Sequence, residues 1–141
     1  MGRIIAIDYG KRRTGVAVTD PLQIVPGPLT TLPASEVIPF LQDYTSKEKV
    51  DIIVVGRAMQ TNKFVESDSM KEIRPFTEKL KKTFPHIQVV FHDERYTSKM
   101  AMHAIRESGA RKKTRQDKSL VDRVSAVIIL QSYLSTRDHL L

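Results

Sequence analysis

The sequence predicts an α/β fold built around a mixed β-sheet. Short apolar and β-branched runs alternate with longer segments of helical spacing through most of the chain, which favours parallel strands joined by helices. The first two apolar runs are separated only by the segment from Gly10 to Thr14, which favours an antiparallel hairpin. No linker-like stretch divides the 141 residues, so we expect residues 1–141 to form one domain with helices on both faces of the sheet.

Each predicted strand and helix is based on the local pattern of apolar residues. The predicted strands are the apolar runs at residues 3–9, 15–19, 50–56 and 88–92. The predicted helices have apolar residues three and four positions apart, and they cover residues 35–49, 69–84, 97–108 and 120–134. Ser35 and Thr97 are the expected caps of two of these helices. The segment 20–33 contains four prolines and predicts an irregular connection, and residues 60–68 predict a loop.

The amino-acid composition limits the partners, metal sites and location that the chain can have. The chain has 23 Lys and Arg against 16 Asp and Glu, a net charge of +7, which favours an acidic partner such as nucleic acid. It has no cysteine, so disulfides and thiolate metal sites are excluded. No apolar run approaches the roughly 20 residues that a membrane span needs, and the start of the chain does not resemble a signal peptide. We therefore expect a cytoplasmic protein without a membrane partner.

Two predicted strands end in carboxylates. Asp8 follows an almost continuously apolar run, where a lone charge is costly unless it is protonated, paired or bound to a metal. Asp93 and Glu94 directly follow the run at 88–92. A salt bridge is the alternative explanation in each case, from Asp8 to the cations of the next turn and from Asp93 or Glu94 to Arg95.

A third carboxylate, Asp122, lies near the start of the last predicted helix. The sequence from Ser119 to Asp122 fits an S-x-x-D helix start, so a role at the helix N-terminus would explain this residue alone. Ser125 and Ala126 are its neighbours on the same helical face, and their small side chains would let the helix approach the sheet closely. Asp122 could then reach an interior site.

Carboxylates that converge without a cation of fixed geometry favour a hard divalent cation, Mg²⁺ or Mn²⁺. A pair of such ions, bound together with substrate, can activate water and stabilise the leaving oxygen of a phosphodiester. Basic residues lie beside the acidic positions and suit a nucleic-acid substrate, although each one alone could belong to a solvated loop. They are Lys11, Arg12, Arg13, Arg95, Arg111, Lys112, Lys113, Arg115 and Lys118.

Four segments in this order resemble the YqgF, or RuvX, family of pre-16S rRNA nucleases and Holliday-junction-resolvase-like proteins. They are IIAIDYGKRRTGVAVTD at 4–20, IIVVG at 52–56, DERYTS at 93–98 and VDRVSAVIILQSYL at 121–134. The resemblance implies a ribonuclease H-like fold and a metal-dependent nuclease. It also implies that Asp8, Glu94 and Asp122, which match the acidic positions of the family's motifs, are the catalytic and metal-binding residues. Asp93 is the alternative second acid.

The resemblance also implies the partners and leaves several alternatives. Precursor 16S ribosomal RNA is the favoured substrate, branched DNA is the alternative, and a non-catalytic RNA-binding factor on the ribosome is a third reading. A monomer and a homodimer are equally compatible with the sequence. Residues 57–60 (RAMQ) depart from the family pattern of an apolar residue, proline and a leucine-asparagine pair, and Ser125 replaces an alanine.

Overall fold

A computed structural model of the chain describes the backbone of residues 1–58, 70–94 and 118–139, with the side chains of residues 1–56, 70–93 and 123–138. The predicted helix at 97–108, the loop at 60–68 and most of the basic segment at 111–118 lie outside the described residues. The described elements, in chain order, are β1 (Arg3–Asp8), β2 (Thr14–Thr19), β3 (Pro26–Leu32), α1 (Ala34–Lys47), β4 (Val50–Ala58), α2 (Met70–Thr83), β5 (Gln88–Glu94) and α3 (Lys118–His139).

The five described strands form one mixed sheet in the order β3-β2-β1-β4-β5. β1 pairs antiparallel with β2, and β2 pairs antiparallel with β3. On its other side β1 pairs parallel with β4, and β4 pairs parallel with β5. The predicted α/β class and opening hairpin are therefore confirmed. Because β1, β4 and β5 are parallel, their C-terminal ends share one side of the sheet, which we name the carboxyl edge.

Helices cover both faces of the sheet, as predicted. In β1, Ile5 and Ile7 belong to the core cluster formed with α1 and α2. Ile4 and Ala6 belong to the second cluster, formed with α3. All four side chains have no exposed surface. Strand alternation therefore assigns every position of the parallel strands either to the α1/α2 face or to the α3 face.

Small side chains bring α3 close to the sheet. Ala126 is fully buried in the same cluster as Ala6 and Ala17, and Ser125 beside it is also buried. The close approach expected from Ser125 and Ala126 is thus confirmed. In the part of the chain that the structure describes, no helix is long and apolar enough to cross a membrane.

Residues 26–32 form a strand, so the prediction of an irregular connection over 20–33 was wrong for this part. β3 lies at the edge of the described sheet, where a strand tolerates proline because one of its sides has no hydrogen-bonding partner. Pro28 pairs with Ala17 next to a register shift in the ladder, which is another position that accepts proline. The prolines therefore indicated an edge strand.

Three element boundaries also differ from the prediction. α1 begins at Ala34 after Pro33, with no side-chain hydrogen bond at its N-cap, so Ser35 is not the cap. β5 extends through Glu94, two residues further than expected. α3 begins at Lys118, so Asp122 is already more than one turn inside the helix.

We predict that Ala126→Leu will lower the free energy of unfolding by about 1–3 kcal/mol, because the larger side chain would overpack the contact with Ala6 and Ala17. Urea denaturation followed by circular dichroism measures the change. Gln131→Leu is the matched control, since Gln131 is exposed on the same helix and should alter stability by less than about 0.5 kcal/mol. Equal stability of the two variants would contradict the close packing.

Candidate active site

Asp8 is the last residue of the central strand and lies at the carboxyl edge. Its side chain is partly buried, and it stands opposite Gly15 of β2 in the antiparallel register. Counting from Ile4 and Ala6, alternation places Asp8 on the α3 face of the sheet. Asp8 is thus the first charged position where the fully buried strand reaches solvent.

The turn after Asp8 is tightly closed. The Thr14 hydroxyl donates to the Gly10 carbonyl oxygen at 2.8 Å and accepts from the Gly10 N–H at 3.2 Å. A Cβ added to Gly10 would overlap the carbonyl oxygen of Arg13. Because of this closure, the exposed residues 11–13 (KRR) stand at the carboxyl edge directly beside Asp8. Three of the predicted nucleic-acid contacts are therefore next to the first acid.

Strand alternation separates Asp93 from Glu94. Phe91 packs with the α1/α2 cluster, whereas His92 contacts α3. Asp93 is exposed and falls in the same series as Phe91, on the face opposite to Asp8. Position 94 falls in the series of His92, on the α3 face. The backbone therefore favours Glu94 over Asp93 as the partner of Asp8.

His92 joins β5 to α3, a contact that the sequence analysis missed. Its Nε2 lies 2.7 Å from the Ser132 hydroxyl, and its ring meets the Tyr133 ring edge to face at 6.0 Å between centroids. Burial lowers the pKa of His92 more than nearby Asp93 raises it, so the ring is neutral at neutral pH. The sequence indicated this contact only indirectly, because Val90 and His92 are two residues apart and therefore lie on the same side of the strand.

A second contact fixes the C-terminal part of α3. Arg137 donates to the Gln23 side-chain oxygen at 2.7 Å, and Gln23 in turn donates to the Gly2 carbonyl at 2.7 Å. Gln23 has a φ of 60°, a left-handed conformation that costs energy in a non-glycine residue. This network ties α3 to the end of the sheet opposite the carboxyl edge.

Position 122 of α3 falls in the same helical series as the buried residues that follow it. It precedes the buried Ser125 and Ala126 by three and four residues, so all three positions share one side of the helix. No acidic residue lies in the first turn of α3, so interaction with the helix N-terminus does not explain Asp122. The Ser125 hydroxyl is buried and has no hydrogen-bond partner in the described part of the chain.

Comparison with known proteins identifies the chain. A sequence model of the family described as "RuvX: Holliday junction resolvase" matches residues 2–136. The chain belongs to the RuvX family. A relative from Porphyromonas gingivalis, named "Putative pre-16S rRNA nuclease", is 56% identical over 138 residues, covering 98% of this chain and 99% of the relative. A relative of the same name from Parabacteroides distasonis is 51% identical and covers 99% of both chains.

A solved structure supports the same conclusion about the fold. RuvC of T. thermophilus, in complex with a Holliday junction substrate, matches with a TM-score of 0.51 and 14% sequence identity. The match covers 97% of this chain and 96% of that one. The predicted ribonuclease H-like fold and the RuvX resemblance are therefore both confirmed.

The described structure gives only backbone positions for two of the three residues of the predicted metal site. Among the side chains that it describes, no three His, Cys, Asp or Glu residues form a group able to hold a metal ion. The side chains of Glu94 and Asp122 lie outside that set, so the triad with Asp8 stays a prediction. Lys118 opens α3, and the remaining predicted cations lie outside the described residues, namely Arg95, Arg111, Lys112, Lys113 and Arg115.

We predict that Gly10→Ala will lower the free energy of unfolding by about 1–3 kcal/mol, because the turn must open to admit the Cβ beside the Arg13 carbonyl. Thermal and urea unfolding measure this change. Gly27→Ala is the matched control, since a Cβ at Gly27 meets no atom within 4 Å. If both variants unfold like the unmodified protein, the turn is not closed as described.

Proposed function

We propose that this RuvX-family chain is a metal-dependent nuclease that cleaves precursor 16S ribosomal RNA at the carboxyl edge of its sheet, acting in the cytoplasm as a single domain. Nuclease activity is common to the family description and to the names of the two relatives. The metal, the substrate and the residue roles are the parts that we propose. The match over residues 2–136 supports assigning the activity to the whole chain.

The observation that carries the proposal is the common face of the three acidic positions. Asp8 and position 94 fall in strand series on the α3 face, and both are at the C-terminal ends of parallel strands. Position 122 falls in the helical series of Ser125 and Ala126, which are buried against this face. This shared face supports the proposal that three distant segments supply carboxylates to one side of the carboxyl edge.

The available donor atoms fit a divalent cation such as Mg²⁺ or Mn²⁺. Asp8, Glu94 and Asp122 offer only oxygen, and the chain has no cysteine to favour a softer metal. The unpartnered, buried Ser125 hydroxyl adds one more oxygen a single turn from Asp122. When bound, such an ion lowers the pKa of water and offsets negative charge on a phosphodiester.

The residues of the chain account for substrate positioning. Lys11 and Arg12 are exposed in the turn beside Asp8, where they can pair with phosphates on either side of the scissile bond. The contact between His92 and Ser132 joins β5, which ends at Glu94, to α3, which contains Asp122. A rigid arrangement of this kind reduces the reorganisation needed to reach the transition state.

Resolution of a branched DNA junction is the second candidate, because the matching family is described as a Holliday junction resolvase. A resolvase must cut two strands of one junction, whereas trimming of an RNA precursor needs one cut. The same acidic site would serve either reaction. The substrate itself therefore has to distinguish the two functions.

We predict that the purified chain will cleave a labelled precursor 16S rRNA 5′ fragment in Mg²⁺ or Mn²⁺ and will lose this activity in EDTA. A four-way DNA junction tested alongside should be cut much more slowly, as resolved on denaturing gels. Faster cutting of the junction, at paired positions, would replace the first function with the second. Tight RNA binding with no cleavage in either metal would indicate a binding factor.

We predict that Asp8→Asn and Glu94→Gln will each lower cleavage by about 100-fold or more, because each removes a charged oxygen ligand that would hold the divalent cation. Asp93→Asn is the matched control, since it neutralises the adjacent carboxylate on the opposite face and should retain activity within a few-fold. Circular dichroism and urea unfolding establish that each variant is folded. If Asp93→Asn is inactive and Glu94→Gln is active, the assignment of the second acid is wrong.

A further inference from the structure

A cavity of about 490 Å³ opens on the α1/α2 face, immediately beside the proposed catalytic edge. It lies between the turn after β1, the first residues of α1 and one side of α2, and its walls include Tyr9, Lys11, Lys71, Phe76 and Lys79. It is a groove open to solvent, with a volume in the range of sites that hold small ligands, about 300–1,000 Å³. Lys11 is shared with the turn beside Asp8, but the acidic site and the other loop cations proposed above do not account for the cavity.

The walls of the cavity are basic. Lys11, Lys71 and Lys79 are exposed, and Glu72 is the acidic side chain among the lining residues. Within the described residues none of these three lysines is part of a salt bridge. Lys71 and Lys79 are eight residues apart, so they project from the same side of α2. Unpaired cations that converge on one cavity favour an anionic ligand.

The backbone holds the third lysine at the rim. The Ala34 N–H donates to the Lys11 carbonyl oxygen at 3.2 Å, which ties the turn after β1 to the start of α1. The N-terminus of α1 therefore lines the cavity, and its partial positive charge adds to that of the lysines.

The floor of the cavity is aromatic. The rings of Tyr9 and Phe76 contact each other with centroids 4.8 Å apart and planes at 47°. Both rings are only partly buried, so part of each remains available for stacking. Cations around an aromatic surface are the combination that binds single-stranded nucleic acid.

The cavity lies next to the proposed cleavage site. Tyr9 is the residue next to Asp8, and alternation places the two side chains on opposite faces of the strand end. A nucleic-acid strand that crosses the carboxyl edge would pass from the acidic site to the cavity within a nucleotide or two. The cavity is therefore where a nucleotide flanking the cleaved bond would arrive.

We propose that this cavity is a binding subsite for one unpaired nucleotide adjacent to the scissile phosphate. Lys71 and Lys79 bind its phosphate with Lys11, and its base stacks on Tyr9 and Phe76. This assignment rests on the proposed nuclease function, because it takes the ligand to be the substrate strand. A free nucleoside phosphate offers the same chemistry, and the experiment separates the two sources.

The test measures binding without cleavage. Fluorescence anisotropy in EDTA follows a labelled single-stranded RNA of about ten nucleotides, titrated with the unmodified protein and with the double variant Lys71→Gln/Lys79→Gln. We expect the variant to bind about tenfold more weakly. The slope of the logarithm of the binding constant against the logarithm of the salt concentration should become shallower by about 0.7 for each phosphate contact removed. Lys81→Gln/Lys82→Gln is the matched control, because it removes equal charge from the same helix outside the cavity. Equal weakening by both variants would overturn the subsite.

Base stacking is tested through the ligand, so that the protein fold is not disturbed. An abasic nucleotide moved along the RNA should weaken binding several-fold at one or two positions, and in Phe76→Leu this position dependence should disappear. Uniform binding of all abasic ligands would overturn the stacking role. Adenosine 5′-monophosphate is titrated as a competitor, and if it binds as tightly as the ten-nucleotide RNA, the cavity is a free-nucleotide site and the strand assignment is wrong.

The experiments distinguish failure of the nuclease function from failure of the nucleotide subsite. Asp8→Asn should lower cleavage in Mg²⁺ by about 100-fold or more without weakening RNA binding in EDTA. If the lysine variants bind normally while the protein cleaves RNA, only the subsite is wrong. If the unmodified protein cleaves no substrate while Lys71→Gln/Lys79→Gln still weakens RNA binding, the nuclease function is wrong and the cavity remains an RNA site.

Discussion

The rest of the structure depends on the burial of the central strand. β1 has strand partners on both sides and helices on both faces, and Ile4 to Ile7 have no exposed surface. No charge can be held within such a strand without a large cost in desolvation. Asp8 stands at the first position where that restriction ends, so the same hydrophobic core that stabilises the fold also fixes the location of the acid.

Patterns that depend on nearby residues were readable from the sequence. The opening hairpin, β4 and the apolar stripe of α3 follow from local periodicity and short connections, and the structure has all three. β3 was missed because proline normally disfavours strands, and only its place at the edge of the described sheet makes proline acceptable. The limits of β5 and α3 depend on packing between distant segments, which local patterns do not contain.

The residues of the candidate site also differ in whether local sequence patterns could predict them. Asp8 could be recognised because a charge after an apolar run is unusual, whereas Asp93 and Glu94 looked equivalent. Their difference became visible once β5 was seen to continue through Glu94, because alternation then sends the two positions to opposite faces. The lysines of α2 gave no sequence signal, since Lys71 and Lys79 resemble ordinary solvated positions of an amphipathic helix. Their common cavity depends on where the turn after β1 meets α1.

The edge strand β3 affects how the molecule can associate. An outer strand with free backbone donors and acceptors can add the strand of another chain and extend the sheet. Pro26 and Pro28 remove two N–H donors from β3, and Gly27 between them supplies no side chain for a strand-to-strand contact. Such an edge resists continuous sheet formation between copies. Backbone pairing between two copies through β3 is therefore disfavoured, and a contact on this side of the sheet would have to form between side chains.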